Sequence, residues 1–346
     1  MKEFGSDFHF IRTGSHSENT LDAFFPSANY YADGRQALIH LYKNQNWQRL
    51  WMPEYYCYDV IASLQEAGIN LMFYTDGPNY HDDGKTLNEI QRRGQFRPSD
   101  AVLRVNYFGM RSYRSSQNLS VAAIVEDHTH DLIGDWALRS EADWCIASLR
   151  KTLPIPEGGM LWSPVGHRLP VKPEHSEENE HIVAIRWDAM RLKMRYLVGD
   201  AIEKVTFRAG YVNTEEYFDR ALISALDSGS QEYLAQFDIR DWYNKKKTNW
   251  ELICGIKKEG VHMIRPESVR CYPFSLILLF DSSDERDRVR KELIAHQVYP
   301  AVLWNVPSPA DGEVFNFSRA MLSIHCDGRY TAEDIQQMKS IIESIL

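Results

Sequence analysis

The run Ile124-Val125-Glu126-Asp127-His128-Thr129-His130 passes from apolar residues to two acids and two histidines within seven positions. If the apolar part is a strand, the acid at its exit points into a cleft, because α/β sheets bind ligands beyond their carboxyl edges. Histidines two apart suit metal ligands on an extended strand, so Asp127, His128 and His130 define a zinc-hydrolase reading, but no third ligand at a recognisable spacing follows. The ordinary alternative is that Asp127 caps the next turn and both histidines are polar loop residues. A second segment, Ala147-Ser148-Leu149-Arg150-Lys151, is followed by Pro154, Pro156, Gly158 and Gly159, which prevent a long helix. Lys151 is thereby held at a strand exit or tight turn. Alone, a loop lysine is usually a solvated charge.

Short apolar runs must position these residues. Strands are expected at Leu50 to Met52, Asn70 to Tyr74, Val102 to Tyr107, Val121 to Val125, Trp144 to Ser148 and Met160 to Ser163. Stretches able to form helices separate them, notably Arg35 to Tyr42 and Tyr58 to Ala67, the latter closed by Gly68. This alternation predicts a mostly parallel sheet covered on both faces. From Glu180 to Leu226 apolar residues return every three or four positions, as in long amphipathic helices bridging two domains. Residues 228–258 read as helical or mixed, with Lys245, Lys246 and Lys247 on a solvated helix face. Beyond lie a strand at Tyr272 to Phe280, a serine-capped helix from Ser283 to His296, a strand from Met321 to His325, and a final helix capped by Thr331 with Asp334 three residues on. The expected division is a large domain over residues 1–226 and a small α+β domain over residues 227–346.

The chain has 346 residues, enough for one large core and a satellite domain. With 48 acidic against 39 basic residues the formal net charge is -9, which argues against a broad nucleic-acid surface. Five dispersed cysteines fit neither a zinc knuckle nor a disulfide scaffold and point to a reducing, cytoplasmic setting. The first residues lack a secretory pattern, and no apolar stretch approaches the roughly 20 residues of a membrane span.

Taken with Ser148-Leu149-Arg150-Lys151-Thr152-Leu153-Pro154-Ile155-Pro156-Glu157-Gly158-Gly159, the Glu126 to His130 segment resembles the cofactor region of the DegT/DnrJ/EryC1/StrS aminotransferases. Asp33-Gly34-Arg35-Gln36-Ala37-Leu38 stands where that family has a phosphate-binding turn. Pro53, Asn106-Tyr107-Phe108-Gly109 and Met321-Leu322-Ser323-Ile324-His325 follow in the family's order. The resemblance implies the pyridoxal-phosphate fold type I and an aminotransferase moving nitrogen from an amino-acid donor to a keto acceptor, a sugar or related small molecule. Lys151 would carry the cofactor aldehyde as a Schiff base and then move protons. Asp127 would keep the pyridine nitrogen protonated, so that the ring accepts carbanion electrons. His130 would lie near the phenolic oxygen. The phosphate would sit at Gly34, Arg35 and Gln36, supplemented by Ser148, on the amides of the following helix. Tyr55 or Tyr56 would stack on the ring, the sequence not deciding which, and Asn106 belongs to the same set.

Sugar aminotransferases of this kind are dimers in which an Asn-Tyr-Arg-type element reaches the neighbour's phosphate. Here Arg208 to Asn213 is the nearest segment, which makes Asn213 the candidate in a homodimer. Asp33 and Arg35 replace small hydroxyl residues, and two prolines stiffen the loop after Lys151, so the acceptor pocket is expected to be reshaped. Two alternatives remain: a lyase, racemase or dehydratase using the same cofactor, and a non-catalytic protein that keeps the fold.

Overall fold

A computed structural model describes residues 3–14, 17–80, 83–115, 123–220, 222–307, 310 and 312–346. Seven strands form the main sheet: β1 (Asn29–Tyr31), β2 (Arg49–Pro53), β3 (Leu71–Tyr74), β4 (Asp100–Val105), β5 (Ala123–Asp127), β6 (Trp144–Ser148) and β7 (Gly159–Trp162). Their order is β1-β7-β6-β5-β4-β2-β3. Pairing is parallel from β3 to β6, while β7 runs antiparallel to both β6 and β1. Every residue of β2, β4 and β5 is buried. That is why their central residues read as short apolar runs, with helices covering both faces.

The expected strands are found with shifted ends. β4 stops at Val105, and Tyr107 belongs to a short 3₁₀ turn, Tyr107–Gly109, in which Phe108 has φ +55°. β5 runs on to Asp127; Val121 and Ala122, expected at its start, lie outside the described residues. Helix α1 (Gly34–Gln45) is capped by Asp33, whose carboxylate accepts the Gln36 amide. Helix α2 (Tyr58–Glu66) ends before Gly68, which adopts φ +80°, the left-handed conformation glycine tolerates best.

The bridging region forms α3 (Glu177–Leu197) and α4 (Lys204–Glu215). They cross where a Cβ on Gly210 would come within 2.8 Å of the Ala189 Cβ, so the missing side chain permits the close approach. Contrary to expectation the helices do not continue to Leu226. A 3₁₀ turn ends at Asp219, and Ala225 bridges Tyr31 in extended conformation.

Helix α5 (Ile239–Ile253) carries the lysine run, and here the solvated reading fails for its middle member. Lys245 pairs with Asp241 at the surface, whereas Lys246 is buried, its amine over the Tyr243 ring and 3.4 Å from the His130 carbonyl. Burial lowers its pKa to about 8. A second sheet comprises β8 (Val261–Met263), β9 (Leu276–Phe280) and β10 (Met321–Ile324), antiparallel with β9 central. The strand expected from Tyr272 begins only at Leu276. Helices α6 (Ser283–Ala295) and α7 (Ala332–Ile345) have the expected caps, including a full Thr331–Asp334 capping box. The chain start returns to this part: Phe4 and Gly5 pair in parallel with Val298 and Tyr299. Among the described residues no helix is long and apolar enough to cross a membrane.

Candidate active site

Asp127 ends β5, paired in register with Val105 and Ile146, at the carboxyl edge of the parallel strands. Alternation separates the two acids by face, and the turn beyond the strand end separates the two histidines. Asp127, Thr129 and His130 line a cavity of about 160 Å³. Glu126 and His128 instead lie buried together at 3.1 Å, joined by Ser140 at 2.6 Å and the Arg104 guanidinium at 3.3 Å. His128 and His130 are therefore not brought together as metal ligands. Glu126, His128 and Cys145 do cluster, but the Arg104 cation already neutralises the carboxylate there, so the arrangement is that of a buried ion-pair network.

The Asp127 carboxylate accepts the Tyr56 hydroxyl at 2.6 Å on one oxygen and the Thr129 amide at 2.8 Å on the other. His130 receives the Phe108 amide on Nδ1 at 3.0 Å. Accepting there fixes the neutral ring as the tautomer with the proton on Nε2. Burial, with Lys246 and Lys151 nearby, lowers the His130 pKa to about 3. Its ring lies between Phe108 and Trp304, each tilted 20° from it at 5.5 and 5.7 Å. The left-handed backbone at Phe108 aims that amide at the imidazole. Asn106 shapes the same turn, accepting the Arg111 amide at 3.3 Å on its side chain, and it lies outside the cavity wall.

Lys151 ends the 3₁₀ turn Leu149–Lys151 that follows β6. Its side chain lines the cavity, and among the described residues its amine has no hydrogen-bond or ion-pair partner. The neighbouring Arg150 guanidinium, then the enclosing protein, lower its pKa to about 8. Such a lysine offers its neutral amine near neutrality.

The N-terminus of α1 opens onto the same cavity at Gly34 and Arg35. A Cβ on Gly34 would lie 3.1 Å from both the Cβ and the amide nitrogen of Ser148, so β6 and α1 pack tightly here. One layer below, a Cβ on Gly159 would clash with the Asp33 carbonyl oxygen at 2.0 Å, and the Gly158 amide donates to the Ala32 carbonyl at 2.6 Å. The Glu157-Gly158-Gly159 element thus supports the turn. Glu157 turns away, accepting the Asp227 amide at 2.7 Å and the Asn179 amide group at 2.9 Å. Helix-end amides, Ser148 and Arg35 could hold an anion here. Arg35 is oriented by Ser63 and Asp219, both at 2.9 Å. Asp33 is buried, its Oδ2 accepts no hydrogen bond and stands 4.0 Å from Arg35 Nε, and burial raises its pKa.

Of the other residues singled out, Tyr56 lines the cavity whereas Tyr55 packs in the core, donating to the Leu303 carbonyl. Gln36 is buried away from the cavity and accepts the Ser224 amide at 2.8 Å. Asn213 is exposed on α4. Sequence reasoning missed Arg150, Glu215, Phe274 and Trp304, which complete the walls. Arg150 had a signal in its adjacency to Lys151. Trp304 had none, because it comes from an irregular segment without periodicity.

No family model matches the sequence, and no curated protein matches it. Solved structures do. Spr1654 from Streptococcus pneumoniae in its PLP form aligns over 100% of both chains, with a TM-score of 0.63 and 11% identity. A DegT DnrJ EryC1 StrS aminotransferase from Brucella abortus aligns with a TM-score of 0.57 and 12% identity, covering 92% of this chain and 85% of its own. Sugar aminotransferase CalS13 from Micromonospora echinospora gives 0.52 and 13%, covering 94% and 88%. The chain has the fold of the pyridoxal-phosphate-dependent fold type I aminotransferases.

Proposed function

We propose that this chain is a pyridoxal-phosphate-dependent aminotransferase with Lys151 as the attachment residue. The observation that carries the reading is one cavity bordered by an unpartnered lysine amine, a carboxylate at a strand exit, a neutral histidine and a helix N-terminus. When bound, the cofactor supplies a ring that accepts the electron pair released at the substrate carbon. Asp127, oriented by Tyr56 and Thr129, would hold the ring-nitrogen proton. His130 would present its Nε2 proton to the phenolic oxygen, and Tyr56, which lines the cavity, would supply the aromatic wall rather than Tyr55. Gly34, Arg35 and Ser148 would hold the phosphate. Lys151, neutral above about pH 8, takes and returns the proton at the substrate α-carbon.

The donor is an amino acid and the acceptor a keto compound. The likeness to CalS13, described as a sugar aminotransferase, supports a keto sugar or related small molecule as acceptor. A homodimer completes the reading: Val205 and Val212 on α4 are 71% and 64% exposed, beside Asn213, an apolar stripe suited to a second copy. The test is spectroscopic. Loading with cofactor and adding L-glutamate should convert the bound-cofactor absorbance to that of the amino form, and a keto acid should reverse it. Absence of a bound band, or of any shift, contradicts the proposal.

A further inference from the structure

Lys246, the buried member of the lysine run on α5, takes no part in the chemistry above, yet it stands directly against the His130 turn. Its amine lies 3.4 Å from the His130 carbonyl and 3.9 Å from the Tyr243 ring, and among the described residues no carboxylate comes within ion-pair distance of it. The same helix grips both turns that end at the first cavity. The Tyr243 hydroxyl accepts the Leu132 amide at 3.1 Å, just beyond His130, and the Trp242 indole donates to the Thr152 carbonyl at 2.8 Å, just beyond Lys151. Asn249 donates to the carbonyls of Asp327 and Tyr330 at 2.9 and 3.0 Å. One helix therefore ties the His130 and Lys151 turns to the segment after β10.

A side chain that only filled the space between α5 and the His130 turn would cost less without a charge, because an enclosed ammonium needs compensating partners. The acids facing it are engaged elsewhere. Asp131 receives the Gly134 amide at 2.8 Å on one oxygen and the Tyr272 amide at 3.1 Å on the other, and burial pushes its pKa up. Asp327 is held by Arg329 at 2.8 Å on each oxygen. The Cys326 thiol, its pKa also raised by burial, is uncharged at neutral pH. Burial with so little compensation brings the Lys246 pKa down to about 8, so the amine is mainly a cation at neutral pH. A cation there disfavours a second positive charge on His130, whose ring is already enclosed by Phe108 and Trp304 and accepts the Phe108 amide on Nδ1.

From this placement we infer that Lys246 is a positioning residue for His130, fixing the carbonyl of that residue and keeping its ring in the neutral form that donates from Nε2. The inference rests on the transaminase reading for its consequence, since a donor at Nε2 matters where a phenolic oxygen is to be held. Lys246 lies outside both cavity walls and acts through His130 alone.

The test reads His130 by ¹⁵N NMR of the histidine-labelled full chain, its signals assigned by their loss in His130→Gln. In Lys151→Ala, which removes the other amine near His130, the ring should stay neutral with its proton on Nε2 from about pH 6 to about pH 10. Its signals should nevertheless move with a midpoint at about pH 8, as Lys246 loses its proton. Adding Lys246→Met should abolish that movement. A flat response with Lys246 present, a movement that survives its removal, or a proton on Nδ1 overturns the assignment; should Lys246→Met not fold, the response with Lys246 present decides. In the cofactor-loaded chain, Lys246→Met should shift the bound-cofactor maximum in the same direction as His130→Gln, lower turnover about 2- to 10-fold, and add no further shift in the double variant. Fully additive shifts overturn the inference and leave the transaminase reading intact. If no cofactor band appears, the transaminase reading falls, and the histidine signals still decide this one.

Discussion

Two cavities share Lys151, one of about 160 Å³ and one of about 290 Å³, and they are built on different plans. The first is made at the carboxyl edge of one sheet, where β5, β6 and the start of α1 deliver Asp127, Lys151 and Gly34 from short strand exits. The second gathers Arg186 and Met190 from α3, Tyr211 from α4, Arg150 from the turn and Phe8 from the chain start. The first kind of site is fixed by sheet register, so its chemistry depends little on the helices outside. The second depends on how those helices pack.

If the division is correct, changes at the strand exits abolish chemistry, and changes at residues that only surround them tune it. The largest effect is expected for Lys151→Ala, which should remove covalent attachment and lower turnover by about 10²- to 10⁴-fold or more, measured by steady-state assay and absorbance. Asp127→Ala should cost about 10²- to 10³-fold in turnover while attachment at Lys151 survives, as scored by mass mapping. Arg150→Met should raise the midpoint of the pH profile for cofactor attachment above about 8, because the neighbouring cation that depresses the lysine pKa is gone. The sign is direct: the neutral amine is the nucleophile, so attachment accelerates as pH rises through that pKa. An unchanged midpoint would mean burial alone sets it. The smallest effect is expected for His130→Gln, since an amide can still donate to the phenolic oxygen: a shifted absorbance maximum and a change in turnover of about 10-fold or less.

The same contrast explains what the sequence made legible. Buried strands write themselves as short apolar runs, so β2 to β7 and the exits bearing Asp127 and Lys151 could be placed within a few residues. Which face a strand residue takes is also periodic, yet His128 and His130 stayed indistinguishable because the strand ends at Asp127, before both of them. Tyr55 and Tyr56 differ only in the direction taken at the turn after β2. Lys246 looked solvated because a lysine run carries no sign that one member faces Tyr243 and the His130 carbonyl. Glu215 and Arg186 were hidden for a related reason: charges on amphipathic helices are normally exposed, and only the crossing at Gly210 and Ala189 brings these two inward.

The central claim is that Lys151 is the residue that holds the cofactor. Borohydride reduction of the cofactor-loaded chain, followed by peptide mass mapping, tests it directly. A stable cofactor adduct on the peptide containing Lys151, and on no other lysine, is the expected result; an unmodified Lys151 in protein shown to carry cofactor would contradict it.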